Sequence, residues 1–138
     1  MKKLSLMALV SLLAACVFAD DKVAAYGVPV RYAKGADILF PDFTVRYLGE
    51  RHVSSPAFKP GFTCYDFEVR GKETVKASWS SGTGVIDSAT FQVDGRPYEL
   101  ELRGSVARKG WLRDDEMVVW PQAKFLKALE ARGKAERR

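Results

Sequence analysis

The chain has 138 residues, of which 47% are hydrophobic and 28% are charged, and its formal net charge is +5 at pH 7. This length suits one domain with a single core, and the sequence gives no reason to expect a second one. Acidic residues are interspersed among the basic ones, so no continuous basic stripe of the kind that follows a phosphate backbone is present. We therefore expect no nucleic-acid partner.

The first predicted element is an export signal. Lys2 and Lys3 precede an apolar run from Leu4 to Ala15, and the run stops at Cys16. A positive start, an apolar stretch and small residues before a cleavage point are the parts of a secretory signal peptide. The run is well short of the roughly 20 apolar residues that a membrane-spanning helix needs.

The end of this run, Leu13-Ala14-Ala15-Cys16, resembles the lipobox of bacterial lipoproteins. The resemblance implies that residues 1–15 are removed and that acyl chains on Cys16 hold the protein at a membrane facing the periplasm. Val17 resembles the residue of lipoproteins that are sent on to the outer membrane, so we expect that membrane rather than the inner one. A second cleavage site before Asp20 stays open, and its product would be soluble in the periplasm or secreted.

The signal sequence divides the chain into three parts. Removal of residues 1–15 leaves 123 of the 138 residues, and the loss of Lys2 and Lys3 lowers the net charge from +5 to +3. We interpret residues 16–27 as a tether and residues 28–138 as a single β-rich domain that ends in a helix.

Alternation of apolar and polar residues predicts antiparallel strands in most of this domain. Two early strands are predicted at residues 28–33 and 38–48. The next two, at residues 63–70 and 75–79, form a hairpin around Gly71-Lys72. A further hairpin turns at Asp94-Gly95, which pairs Phe91 with Tyr98 and directs Glu99 and Glu101 toward water.

The C-terminal part is predicted as one more strand, residues 117–120, followed by a helix. Phe125, Leu126 and Leu129 give this helix one apolar stripe, and Gly133 is its expected end. The whole pattern predicts a mainly β fold, an antiparallel β-sandwich or small barrel with one C-terminal helix.

The sequence is poor in groups for catalysis or metal binding. His52 is the only histidine, and Cys64 is the only cysteine besides Cys16. No metal-ligand spacing is present, so we expect no metal and no cofactor, and we assign no catalytic residue. A small hydrolase with His52 as its base remains a minor alternative.

Two predicted loops are better suited to recognition. Ser80 to Gly84 forms a hydroxyl-rich, glycine-rich tip in which Ser81, Gly82 and Thr83 are candidate partner-binding residues. This tip is similar to the Ser-Gly loops by which periplasmic lysozyme inhibitors block a glycosidase cleft, although Val85 and Ile86 follow here where a tyrosine is usual in those inhibitors.

The second predicted loop covers residues 50–61 and carries His52, Phe58 and Lys59 as candidate partner-binding residues. The sequence therefore predicts a cell-envelope lipoprotein that binds another envelope protein without turnover, as a periplasmic inhibitor, immunity or accessory protein. The competing hypothesis is a structural protein that assembles an envelope complex through a strand edge or its basic C-terminal helix.

Overall fold

The computed structural model describes residues 22–81, 88–102 and 112–137. These residues form two four-stranded antiparallel sheets, with strand orders β1-β8-β7-β6 and β2-β3-β4-β5, and one C-terminal helix. The predicted mainly β fold with a C-terminal helix is confirmed, and the two sheets are compatible with a β-sandwich. The elements are β1 (Val30–Arg31), β2 (Asp37–Leu39), β3 (Thr44–Ser55), β4 (Phe58–Arg70), β5 (Thr74–Ser81), β6 (Ala89–Val93), β7 (Arg96–Leu102), β8 (Glu116–Pro121) and α1 (Gln122–Ala135).

The core lies between the inner faces of the two sheets. Each strand contributes every second side chain to it, as the period of two requires. Phe67 and Val69 of one sheet and Leu100 and Val119 of the other are fully buried. Aromatic rings pack among the aliphatic side chains of this core, and Tyr98 packs edge-on against Phe43 with ring centroids 4.8 Å apart.

Both predicted hairpins are present. Asp94 and Gly95 have φ values of 52° and 76°, as a tight two-residue turn with two positive φ angles requires, and Phe91 pairs with Tyr98. The Asp94 carboxylate accepts hydrogen bonds from the backbone N–H groups of Lys72, at 2.9 Å, and Glu73, at 3.3 Å. This carboxylate therefore joins the β6–β7 turn of one sheet to the β4–β5 turn of the other.

The predicted loop at residues 50–61 is wrong, because these residues form the outer half of a long hairpin. β3 continues to Ser55 and β4 begins at Phe58, so only two residues remain at the tip. Pro60 is tolerated because it lies in the register shift between the Val53–Phe62 and Ser55–Phe58 pairs, where it has no paired residue in β3, and it precedes the part of β4 that pairs with β5. The predicted strand at residues 38–48 is likewise divided, since the turn after β2 separates it from β3.

The prediction that Glu99 and Glu101 face water is also wrong, because α1 covers the outer face of β7 and β8. Glu101 is fully buried and accepts hydrogen bonds from Trp120 Nε1, at 2.8 Å, and Arg132 Nη1, at 3.1 Å. Glu99 accepts from Gln122 Nε2 at 3.1 Å. The alternation along β7 shows only which side chains share a face of the sheet. It could not reveal that a helix from later in the chain packs on the polar face.

The predicted apolar stripe of α1 is only partly used. Phe125 is buried against Trp120, Leu129 is half-buried, and Leu126 is 53% exposed. The helix runs two residues past Gly133, to Ala135. In the described part of the chain, no helix combines the length and the hydrophobicity that crossing a bilayer demands.

Candidate functional site

The two segments predicted for recognition meet at one end of the β2–β5 sheet. His52 of β3 pairs with Thr63 of β4, and Thr63 pairs with Ser81, the last residue of β5. Residues directly opposite each other project from the same face of a sheet, so these three side chains form one row. Ser81 Oγ also donates to the backbone oxygen of Thr63, at 3.5 Å. We call His52, Thr63 and Ser81 the base row.

Beyond the base row, the β3–β4 hairpin extends as a two-stranded arm. We call residues 53–62 the distal arm, because β5 ends at Ser81 and β2 pairs with β3 only at residues 44–46. Lys59 is exposed on this arm. Phe58 begins β4 opposite Ser55, and its side chain lies outside the described part of the structure. No other described strand pairs with this arm, and a two-stranded arm of this kind can present its backbone and its faces to a partner.

Gly61 allows the arm to close tightly beside the base row. Its φ of 65° lies in the left-handed region, and a Cβ at this position would collide with the carbonyl oxygen of Val53 and with His52 Nε2. The His52 ring therefore lies over Gly61, on the same face as Thr63. Only glycine adopts this positive φ and leaves the space of a Cβ empty without strain.

The N-terminal segment reaches the sandwich at the end opposite to the arm. The Tyr26 hydroxyl donates to Asp42, at 2.6 Å, two residues before β3 begins at Thr44. Burial and this hydrogen bond raise the pKa of Tyr26 above its ordinary value. Since β3 has 12 residues and a strand rises about 3.3 Å per residue, the arm tip lies on the order of 35–40 Å from this end.

The outer face of the β2–β5 sheet carries two ordered charge clusters. Arg46 donates two hydrogen bonds to Asp37, at 2.7 and 3.1 Å, and Arg70 lies 2.7 Å from the same carboxylate. These hydrogen bonds hold the pKa of Asp37 below its ordinary value. In the second cluster, hydrogen bonds from Arg51 and then Ser78 hold the pKa of Asp66 below its ordinary value.

A cavity lies on each side of the β3 edge at Gly49, where a register shift interrupts the pairing with β4. The cavity on the outer face has a volume of about 560 Å³ and is lined by charged side chains, among them Lys34, Arg51 and Lys76. The cavity on the inner side has a volume of about 470 Å³ and is lined by three tyrosines, Tyr32, Tyr47 and Tyr65, and by the acidic residues Asp114 and Asp115. Lys34, Gly49 and Glu50 border both cavities.

The groups considered for catalysis lie apart. His52 is exposed and forms no hydrogen bond or ion pair with a described residue. Cys64 is buried on the outer face, where its Sγ lies 3.4 Å from Ser80 Oγ. Residues 22–81, 88–102 and 112–137 hold no group of three or more histidine, cysteine or acidic side chains that would suit a metal ion.

The predicted site residues therefore fall into three groups. His52 and Ser81 are brought together in the base row, and Phe58 and Lys59 lie on the arm that continues from it. Cys16, Gly82 and Thr83 lie outside the described residues. Thr63, which joins the two segments, was not among the predicted site residues, although the alternation along β4 places it on the core-facing side of that strand.

A comparison of the chain with protein-family models, curated proteins and solved structures found no match in any of the three.

Proposed function

We propose that this protein is a lipid-anchored binding module of a bacterial cell envelope, and that it captures another envelope protein with its distal arm and base row. It acts without turnover, as a periplasmic inhibitor, immunity or accessory protein. The observation that carries this proposal is the register of His52, Thr63 and Ser81, which brings two separately predicted recognition segments to one end of one sheet.

The position of the N-terminal segment supports the same proposal. With acyl chains on Cys16, five residues separate the anchor from Lys22, the first described residue. A chain of this length reaches about 20 Å at most. Because the segment joins the sandwich beside Asp42, the anchor holds that end near the membrane and the arm points into the periplasm.

The charge of the arm favours a partner with an acidic surface or cleft. Lys59 is exposed on the arm, and His52 is exposed at its base. Arg51, just before the base row, is neutralised by Asp66 at 3.0 Å. A modest positive charge steers an acidic partner toward the arm, and this effect weakens as salt rises.

The test uses the full-length protein in living cells. A photo-cross-linking amino acid is placed at Lys59 on the arm or, as a matched control, at Arg96, which is exposed in the β6–β7 hairpin at the other end of the sandwich. We expect one discrete cross-linked envelope protein from position 59 and none from position 96. Equal cross-linking from both positions, or none from either, would contradict the proposal.

The same preparation tests the anchor. The mass of the mature N-terminus is measured for the unchanged protein and for a Cys16→Ser variant. We expect an acylated Cys16 in the membrane fraction, and in the variant the loss of both the lipid mass and the membrane association. An unmodified N-terminus at Asp20 would contradict the anchor and leave a soluble periplasmic or secreted protein.

A further inference from the structure

Among the described residues, the outer edge of β3 has no neighbouring strand over much of its length. β2 pairs only with Thr44, Val45 and Arg46, and Lys34 forms a single parallel bridge with Tyr47. Beyond Tyr47, no strand of the described residues pairs with this edge. Between the two register shifts, Gly49 to Val53 pair regularly with β4, so their free edge is a straight template of about 16 Å for another strand.

The sequence of this edge carries two charged side chains, Glu50 and Arg51, but lacks the two residue types that most often prevent strand addition. Natural proteins commonly guard free edges with lysine or proline, and residues 48–55 contain neither. A lysine from outside the strand, Lys34, instead lies over the glycine at the register shift. Gly49 has a φ of 129°, and the aliphatic part of Lys34 lies 3.3 Å from the position that a Cβ would occupy there.

The two cavities beside Gly49 lie where the side chains of an added strand would go. Successive side chains of a strand point to opposite faces of the sheet. One set would therefore enter the charged cavity on the outer face, and the other would reach the cavity lined by tyrosines on the inner side.

The charged cavity favours an anion. Arg51 and Asp66 neutralise each other within it, whereas Lys34 and Lys76 form no ion pair with a described residue. Glu50 is the remaining acidic side chain of the lining, so the cavity keeps an excess of one positive charge. A carboxylate on the added strand would complement this charge.

We propose that the free edge of β3, residues 49–53, binds an extended segment of a partner protein by strand addition, and that this segment alternates acidic and apolar side chains. The acidic side chains lie between Lys34 and Lys76, and the apolar ones lie against the tyrosines. This inference deepens the proposed function, because it defines the chemistry of the partner segment that binds just below the base row.

The test measures binding of two synthetic peptides to the full-length protein in detergent. The acidic probe is Ser-Thr-Val-Glu-Val-Glu-Thr-Ser, and its matched control carries lysine in place of glutamate. We expect the acidic peptide to bind about tenfold or more tightly than the control and to slow amide hydrogen exchange at residues 49–53. A Lys34→Glu variant should remove this preference, whereas Lys72→Glu, in the β4–β5 turn, should leave it unchanged.

Failure of this inference is distinct from failure of the proposed function. Equal affinity for the two peptides, or slowed exchange only outside residues 49–53, would overturn strand addition. In cells, a Lys34→Glu variant with unchanged melting temperature should lose the cross-link from position 59. If that cross-link persists at full yield, the arm still captures its partner and the β3 edge is not the site.

Discussion

The buried ion pair between Glu101 and Arg132 offers a sharp test of how α1 is held on the sheet. The two side chains are 0% and 8% exposed, and Arg132 Nη1 lies 3.1 Å from Glu101 Oε1. An Arg132→Met substitution keeps an unbranched apolar side chain along the same path. It leaves the Glu101 carboxylate buried, and the hydrogen bond from Trp120 is then the only described one that this carboxylate accepts. Removing one partner of a buried pair costs about 3–5 kcal/mol, because the other charge stays desolvated.

This loss is large compared with the total stability of about 5–15 kcal/mol that is typical of a domain. With a urea m-value of about 2 kcal/mol/M, the unfolding midpoint should fall by about 1.5–2.5 M. The matched control is Lys127→Met on the exposed side of α1, which we expect to change stability by about 0.5 kcal/mol or less.

A double variant shows whether the charge causes the loss. Glu101→Gln removes the charge but keeps an oxygen that accepts the Trp120 hydrogen bond. Combined with Arg132→Met, it should recover most of the stability and leave a deficit of about 1–2 kcal/mol. A cost below about 1 kcal/mol for Arg132→Met alone, or a double variant as unstable as the single one, would show that an unpaired Glu101 charge is not what destabilises the fold.

Two further predictions concern the arm and the outer face. Gly61→Ala should open the arm, so amide hydrogen exchange at residues 53–62 should accelerate. The control is Gly35→Ala: Gly35 also has a positive φ but has open space around it, so this substitution should affect only its own turn. Equal exchange at residues 53–62 in the two variants would contradict this prediction. Hydrogen bonding, chiefly to Arg46, lowers the pKa of Asp37 in the folded state. Its carboxylate therefore stabilises the fold at pH values above its ordinary pKa of 3.8. This contribution is lost as the pH falls through the lower pKa that Asp37 has in the folded protein. Asp37→Asn should therefore lower the melting temperature at pH 7, and the difference should shrink as the pH falls below 3.8. Asp115→Asn, in an exposed pair 3.6 Å apart, should change little over the same range. A difference for Asp37→Asn that does not shrink as the pH falls would show that charge is not the cause.

The sequence predicted the local structure well wherever neighbouring residues determine it. The Asp94-Gly95 turn fixed the register of β6 and β7, and the alternation along β4 and β5 identified their core faces. Both features depend on short-range rules, namely the φ values that a tight turn requires and the period of two in a strand.

Long-range packing explains what the sequence could not predict. The burial of Glu99 and Glu101 depends on a helix that returns over β7 from more than 20 residues away. The arm was mistaken for a loop because Ser54, Ser55 and Pro60 resemble loop residues, although pairing between β3 and β4 satisfies their neighbours. The base row joins β3, β4 and β5, so only the pairing of all three strands could reveal it.

The most direct test of the proposal that the distal arm captures a partner protein is a variant with a shortened arm. Residues 54–61 are replaced by Asn-Gly, so that Val53 and Phe62, which pair in the native hairpin, flank a two-residue turn. Partner capture is measured by cross-linking in the envelope from the base row, together with the melting temperature of the purified protein. We predict that capture is lost while the melting temperature stays within a few degrees, because no described side chain of the arm belongs to the core. Undiminished capture by a stably folded variant would contradict it.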